Sequence, residues 1–269
     1  MNIEEEFNYK PTFDLTAAQI GINKWSWKAI PEVNEISAKQ IMTEFKFDIL
    51  PIIEEDGSIK RYYQTLNRND YRNIKISDID NTNKIYYRTS FNDLIHRFHN
   101  DKKWGYFLED SQNVLGFVSD VNLNCQIVFN YLYQIISELE VSISNILKSE
   151  CSNNKELELE IMNVLKKSQG YKSFVKSRKE GKDNSLFEYL YSKDLGDIFK
   201  NTIDTLPDKY RVLNTFILKF CEKGTYYDLR NTIMHPVKPI VNNELDISRI
   251  DCLLKDCEQI KIIIKENIN

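Results

Sequence analysis

Ile49-Leu50-Pro51-Ile52-Ile53-Glu54-Glu55-Asp56-Gly57-Ser58-Ile59-Lys60-Arg61-Tyr62-Tyr63 decides how the first half of the chain reads. Two short runs rich in β-branched and aromatic residues flank an Asp-Gly pair, the composition of a β-hairpin. The design returns 55 residues later as Tyr106-Phe107-Leu108, Glu109-Asp110-Ser111-Gln112 and Val114-Leu115-Gly116-Phe117-Val118. A gapless shift of 55 lays Ile52 on Phe107, Ile53 on Leu108, Ile59 on Val114 and Tyr62 on Phe117. A helix-like stretch precedes each hairpin: Ser37 to Phe45, and Ser90 to Asn100, where Ser90 and Asp93 are spaced for a capping box. An internal repeat of helix, strand, turn, strand therefore organises this half.

That repeat resembles a tandem pair of cystathionine β-synthase (CBS) domains over about residues 14–124. Gln40-Ile41-Met42 leading to Leu50 through Gly57 carries the resemblance, with Gly116-Phe117-Val118-Ser119-Asp120-Val121-Asn122 in the second repeat. It implies an α/β pair with an adenine-nucleotide effector between the repeats. The family pattern Gly-apolar-apolar-Thr/Ser-x-x-Asp places the nucleotide contacts at Ser119 and Asn122. The chain departs from the pattern, because Asn122 stands where the ribose-binding Asp belongs, and Arg61 and Gln64 replace the Gly and Thr/Ser of the first repeat. An amide oxygen accepts ribose hydroxyl protons more weakly than a carboxylate does. A purely structural or dimerising pair is the competing reading.

The pattern changes near residue 124. Val128, Leu132, Ile135, Leu139, Ile143 and Ile146 recur at three and four, the stripe of a long amphipathic helix. Leu157, Ile161, Val164 and Leu165 mark a second helix. Leu186, Tyr189, Leu190, Leu195, Ile198 and Phe199 mark a third, and Tyr210, Leu213, Phe216, Ile217 and Phe220 a fourth that Gly224 stops. Thr225 with Asp228 opens a short fifth helix through Leu229 and Ile233, which Pro236 and Pro239 end. Ile247, Ile250, Leu254, Cys257, Ile260 and Ile264 form the last stripe. The expected fold is α+β in two domains: a tail at 1–13, a CBS-like α/β pair at 14–124 and an all-α bundle at 125–269.

Composition narrows the function. Among 269 residues the 8 glycines and 6 prolines are few, and the net charge of −4 gives no general positive field. The acidic excess lies in residues 1–124, with 15 basic and 19 acidic side chains, whereas 125–269 carry 21 of each. A polyanionic partner must therefore be met by a local patch. Five cysteines without CxxC spacing read as free thiols in a reducing compartment. No run nears the ~20 apolar residues of a membrane span, and the acidic start Met1-Asn2-Ile3-Glu4-Glu5-Glu6 is unlike a signal peptide. A cytoplasmic protein without membrane attachment is expected. Abundant Lys, Ile and Asn suggest a bacterial source.

Chemistry concentrates in Asp228-Leu229-Arg230-Asn231-Thr232-Ile233-Met234-His235-Pro236. Arg230 and His235 stand five apart, about 140° around an ideal helix, so both cannot address one phosphate from a regular helix interior. The residue before a proline is biased away from helical geometry, which puts His235 on an unwinding end. Asn231 lies one turn before His235 on the same face and is placed to orient the imidazole. A cation, an amide and an imidazole are the parts needed for phosphodiester cleavage. The imidazole moves a proton, and the guanidinium holds the non-bridging oxygens where charge grows. A capping histidine with a salt-bridged arginine is the structural alternative. His96 and His99, three apart, find no third metal ligand nearby.

The run resembles the Arg-x4–6-His motif of the HEPN domain (higher eukaryotes and prokaryotes nucleotide-binding), over about residues 125–266. Ser137-Glu138-Leu139-Glu140 and Asp194-Leu195-Gly196-Asp197-Ile198 extend the likeness. The resemblance implies a metal-independent endoribonuclease that needs no cofactor and works as a homodimer with facing motifs. Arg230, Asn231 and His235 are its catalytic candidates, with Glu140 and Asp197 as supporting acids, although an exposed acid is the simpler account of both. Other HEPN domains lack the activity, so a non-catalytic, ligand-sensing or partner-binding dimer is the alternative. Family analogy suggests stress response, toxin–antitoxin pairing or phage defence, with an antitoxin or regulatory protein as partner. A last feature is the basic run holding Lys166, Lys167, Lys172, Lys176, Arg178 and Lys179 around Tyr171 and Phe174. It reads either as RNA-binding, with base stacking, or as a solvated inter-helix loop.

Overall fold

The structure is a computed structural model that describes residues 14–31, 33–111, 113–182, 185–202, 204–219, 226–235 and 238–268. The expected tail at 1–13 lies outside them, as do the helix signals at Phe220, Gly224, Thr225 and Pro236. The chain is mixed α and β, with a helical C-terminal region, and it divides into two compact units after Val128.

The first unit holds α1 (Ala17–Ile20), β1 (Ile22–Asn23), α2 (Glu35–Phe45), β2 (Ile49–Ile53), β3 (Ile59–Thr65), β4 (Ile74–Asp78), β5 (Lys84–Tyr86), α3 (Phe91–Asp101), β6 (Gly105–Glu109) and β7 (Val114–Ser119). One sheet runs β2-β3-β4 and the other β1-β7-β6-β5. Each hairpin, β2–β3 and β6–β7, is antiparallel and is joined in parallel by an upstream segment: Ile30 bridges Ile52, as Ile85 pairs with Leu108.

The repeat extends to backbone detail, and it corrects the gapless alignment. Both hairpins slip register at their bulge, between Ile52 and Ile53 opposite Arg61 and Ile59, and between Leu108 and Glu109 opposite Gly116 and Val114. The first strands therefore superpose at a shift of 56 and the second strands at 55. The difference lies in the turns: Ile53 to Ile59 encloses five residues and Glu109 to Val114 encloses four. The helices follow the same rule. Asn34 accepts from the Ser37 amide and Ser90 from the Asp93 amide, and the helices end on left-handed lysines, Lys46 (φ 56°) and Lys102 (φ 51°). The Asp-Gly turn uses its glycine as expected, with Gly57 at φ 75°.

Two cores result. Ala38 and Met42 of α2 pack with Ile30, Leu50, Ile52 and Tyr63. Phe91, Leu94, Ile95 and Phe98 of α3 are buried with Tyr106 and Leu108 of β6. Phe107 centres an aromatic cluster, with ring centroids 5.0 Å from Tyr62 and 5.1 Å from Phe117. Each such side chain removed from water contributes roughly 1.5–3 kcal/mol, which holds the sheets together.

The helical elements are α4 (Gln126–Asn153), α5 (Lys155–Leu165), α6 (Gln169–Lys179), α7 (Ser192–Thr202), α8 (Arg211–Lys219), α9 (Tyr226–Met234) and α10 (Glu244–Ile268). On α4 the buried stripe runs through Ile136, while Ile135 is only half-buried. The third apolar stripe is two elements. A 3-10 turn, Leu186–Tyr189, precedes α7, and Asp194 takes the Tyr191 amide at 3.1 Å to start the new helix. The basic run is largely helix: Ser168 caps α6 by accepting the Tyr171 amide at 3.0 Å.

Candidate functional site

The Arg/His motif lies on α9, and α9 is fixed from its first residue. Tyr226 is buried, and its hydroxyl donates to Asp256 Oδ2 of α10 at 2.5 Å. The Lys219 ammonium of α8 donates to the same oxygen at 2.6 Å. Leu229 and Ile233, one turn apart, bury the inner face of the helix. This orientation turns Arg230 inward beside Leu229.

There its Nε–H donates to Glu140 Oε1 of α4 at 2.9 Å, and the Ser192 hydroxyl at the start of α7 donates to the same oxygen. The two charged side chains are 15% and 22% exposed, so the pair is largely withdrawn from water. Ile136, Leu139, Ile143, Leu195 and Ile217 line a gap of about 10 Å³ against Glu140 and Ser192, too small for anything beyond a water molecule. Burial in this apolar setting pushes the Glu140 carboxyl up from its ordinary range, and Arg230 pulls it back only in part.

His235 sits in a different environment. It follows the last residue of α9, and its backbone N–H still closes the final turn on the Asn231 carbonyl at 3.0 Å. The helix thus holds up to the His235 amide and ends at Met234, with His235 just beyond it. Its side chain is exposed, Asn231 is half-buried, and no hydrogen bond joins Arg230 to His235 among the described residues. The five-residue spacing separates the two groups as helix geometry requires.

Of the two supporting acids, only Glu140 meets the motif, and it is not the exposed acid expected of it. Asp197 is half-buried on α7, with its carbonyl accepting from Asn201, and it contacts neither Arg230 nor His235 among the described residues. Sequence reasoning missed Ser192, and it quoted Asp194 in the family likeness without giving it a role. Asp194 is 4% exposed and accepts from the Tyr191 amide and the Ser168 side chain. A Ser and an Asp two apart after Tyr191 carry a helix-start signal that would have singled out both.

Lys166, Lys167, Lys172, Lys176, Arg178 and Lys179 are all exposed. Tyr171 and Phe174 are half-buried, and Phe174 bridges Tyr171 and Tyr189 in one ring cluster, at 6.4 and 6.2 Å. Ser119 and Asn122 turn toward each other: the Asn122 side-chain oxygen accepts the Ser119 amide and hydroxyl, both at 2.8 Å. They form a local cap on the 3-10 turn Asp120–Asn124. Within the same unit a cleft of about 320 Å³ is lined by Tyr62, Trp104, Phe107 and Phe117 with Lys75, Lys102 and Lys103, and neither Ser119 nor Asn122 lines it.

Among the described residues no group of three or more His, Cys, Asp and Glu is arranged to hold a metal ion. His96 bonds the Asn100 amide at 2.9 Å. No described helix is long and apolar enough to cross a membrane. Protein-family models, curated proteins and solved structures contain no match to this chain.

Proposed function

We propose that the helical unit is a metal-independent endoribonuclease whose catalytic groups are Arg230 and His235, with Asn231 beside them and Glu140 holding Arg230. The observation that supports this most is the fixed, largely buried guanidinium of Arg230 five residues from the exposed imidazole of His235. Glu140 engages Nε, so the Nη groups are left for phosphate oxygens. In the reaction the 2′-oxygen of a ribose forms a bond to phosphorus as the bond to the 5′-oxygen breaks. His235 accepts the 2′-hydroxyl proton, a proton is returned to the leaving oxygen, and Arg230 stabilises the added charge on the non-bridging oxygens. The active unit is a homodimer, in which His235 of one copy meets Arg230 of the other. Bacterial stress, phage defence or toxin–antitoxin control is the biological setting, with a regulatory protein as partner.

A second reading is a non-catalytic ligand sensor, favoured by the cleft that joins four aromatic rings with Lys75, Lys102 and Lys103. An adenine nucleotide suits those groups, and in the endoribonuclease reading it is the effector. Incubation of RNA with the purified protein in EDTA separates the two readings. The endoribonuclease cuts RNA and leaves DNA intact, and Arg230→Ala or His235→Ala loses 10²-fold or more. Cleavage that survives in both variants makes the motif structural.

A further inference from the structure

Between Glu160 and Glu180 the chain has six basic residues and no acidic one, in a protein whose net charge is −4. Lys172, Lys176 and Lys179 fall at i, i+4 and i+7, which puts them on one face of α6, about 10 Å from end to end. All three are exposed, and no ion pair joins them, Lys166 or Lys167 to an acid among the described residues. Helix electrostatics explains only part of this. Lys176 and Lys179 suit the C-terminal end of α6, but Lys172 stands in its first turn, where a cation is disfavoured and no acid offsets it.

The helix is also tied to the Arg230 site. An added Cβ at Gly170 would meet the Tyr189 carbonyl at 2.5 Å and Asp194 Oδ2 at 2.6 Å, so α6 and α7 touch backbone to side chain there. Asp194 accepts from Ser168, the cap of α6, and lies two residues from Ser192, which bonds Glu140. The aromatic residues of the run are packed into their own cluster and not presented with the lysines.

We infer that the lysine face of α6 docks the sugar–phosphate backbone of single-stranded RNA, through charge and without reading bases. This rests on the endoribonuclease reading for its purpose, but not for its test. Full-length His235→Ala protein, in which any cleavage is expected to be at least ~10²-fold slower, is titrated against labelled single-stranded RNAs of two unrelated sequences at several KCl concentrations. The combined change Lys172→Glu, Lys176→Glu and Lys179→Glu is expected to weaken both RNAs alike, by at least about tenfold, and to reduce the salt slope by about 2. Lys→Arg at the same positions retains binding. If the triple variant loses helical circular dichroism, Lys172→Glu alone is used, with a smaller loss and a slope change of roughly 0.7.

Unchanged affinity and slope would overturn the assignment, as would RNA binding absent from the His235→Ala parent. Polyglutamate displacing RNA as well as unlabelled RNA does at equal charge would also overturn it, in favour of an acidic protein partner. With His235 intact, the lysine changes should lower cleavage of long RNA more than cleavage of a dinucleotide. Binding that depends on the lysines in a protein that cuts neither substrate would retain the docking face and remove the endoribonuclease reading.

Discussion

Glu140 is caught between burial, which favours its neutral form, and Arg230, which favours its charge, and burial has the larger effect. A carboxyl whose folded pKa lies above its unfolded value contributes its stability below the unfolded pKa and loses it as pH rises through the folded one. Without Arg230 the charged carboxylate keeps Ser192 as its hydrogen-bond partner among the described residues. Arg230→Ala is therefore expected to cost about 2 kcal/mol at pH 7, below the full penalty for a buried pair because both groups keep some solvent. The loss should shrink at an acid pH, because a carboxyl raised by burial takes up its proton before a free one does. Urea unfolding of wild type and variant at both pH values measures this, and equal losses at the two would contradict it. The sequence alone could name Glu140 but not this environment. Its burial depends on Ser192 and Arg230, 52 and 90 residues further along the chain.

The cysteines give a second test at this scale. Burial pushes the Cys151 thiol up to about 11 and the Cys257 thiol up to about 12. At pH 8 both should resist iodoacetamide in the folded protein while the exposed Cys252 reacts, as peptide mass spectrometry would show. The raised thiols stabilise the fold fully below about pH 9, and that contribution is lost as pH rises toward 12. Rapid labelling of Cys257 under native conditions would show that α10 is not packed as described.

At the scale of the elements, hydrophobic periodicity located most helices because burial repeats every three or four residues along them. All six apolar positions of the last stripe are buried on α10. The repeat was legible for the same reason, since Leu50, Ile52, Phe107 and Leu108 must all enter a core. The one-residue difference between the turns was not legible, because it sits in polar residues that leave the apolar pattern intact. β4 was also missed. Ile74 and Ile76 alternate with Lys75 and Ser77 on an edge strand that buries none of its residues fully. α6 was half-legible: Ser168 signals a cap, but polar residues outnumber the apolar ones that would mark a helix.

The contact between α6 and α7 yields a prediction about Gly170. Alanine gains about 1 kcal/mol of helix propensity over glycine, but here its Cβ would lie 2.5 Å from the Tyr189 backbone carbonyl. A carbonyl in a 3-10 turn cannot retreat as a flexible side chain can. Gly170→Ala should destabilise the protein by roughly 1–3 kcal/mol despite the better propensity. It should also lower cleavage, because α7 carries Ser192. A thermal midpoint at or above that of wild type would mean that the two helices are not held in this contact.

For the whole molecule, the helix that turns Arg230 inward to Glu140 leaves His235 exposed, so a single copy presents them to different surroundings. In the proposed homodimer a two-fold axis would bring the two groups together from separate chains. Light scattering should give about twice the chain mass, and specific activity should fall on dilution through the dimer dissociation constant. A monomer with full specific activity would exclude a shared site. The motif itself was plain in the sequence, because Arg230, Asn231 and His235 are distinctive residue types at short, fixed spacings. The central claim is that the 2′-oxygen next to the cut phosphate is the nucleophile, moved by His235. It is tested most directly with one RNA oligonucleotide carrying a single 2′-deoxy substitution at its mapped cleavage position, incubated in EDTA with the product ends read by mass spectrometry. The all-ribose strand should yield a 2′,3′-cyclic phosphate or 3′-phosphate at that position, and the substituted strand should stay intact there. Cleavage of the substituted position, or 5′-phosphate ends on the all-ribose strand, would contradict the mechanism.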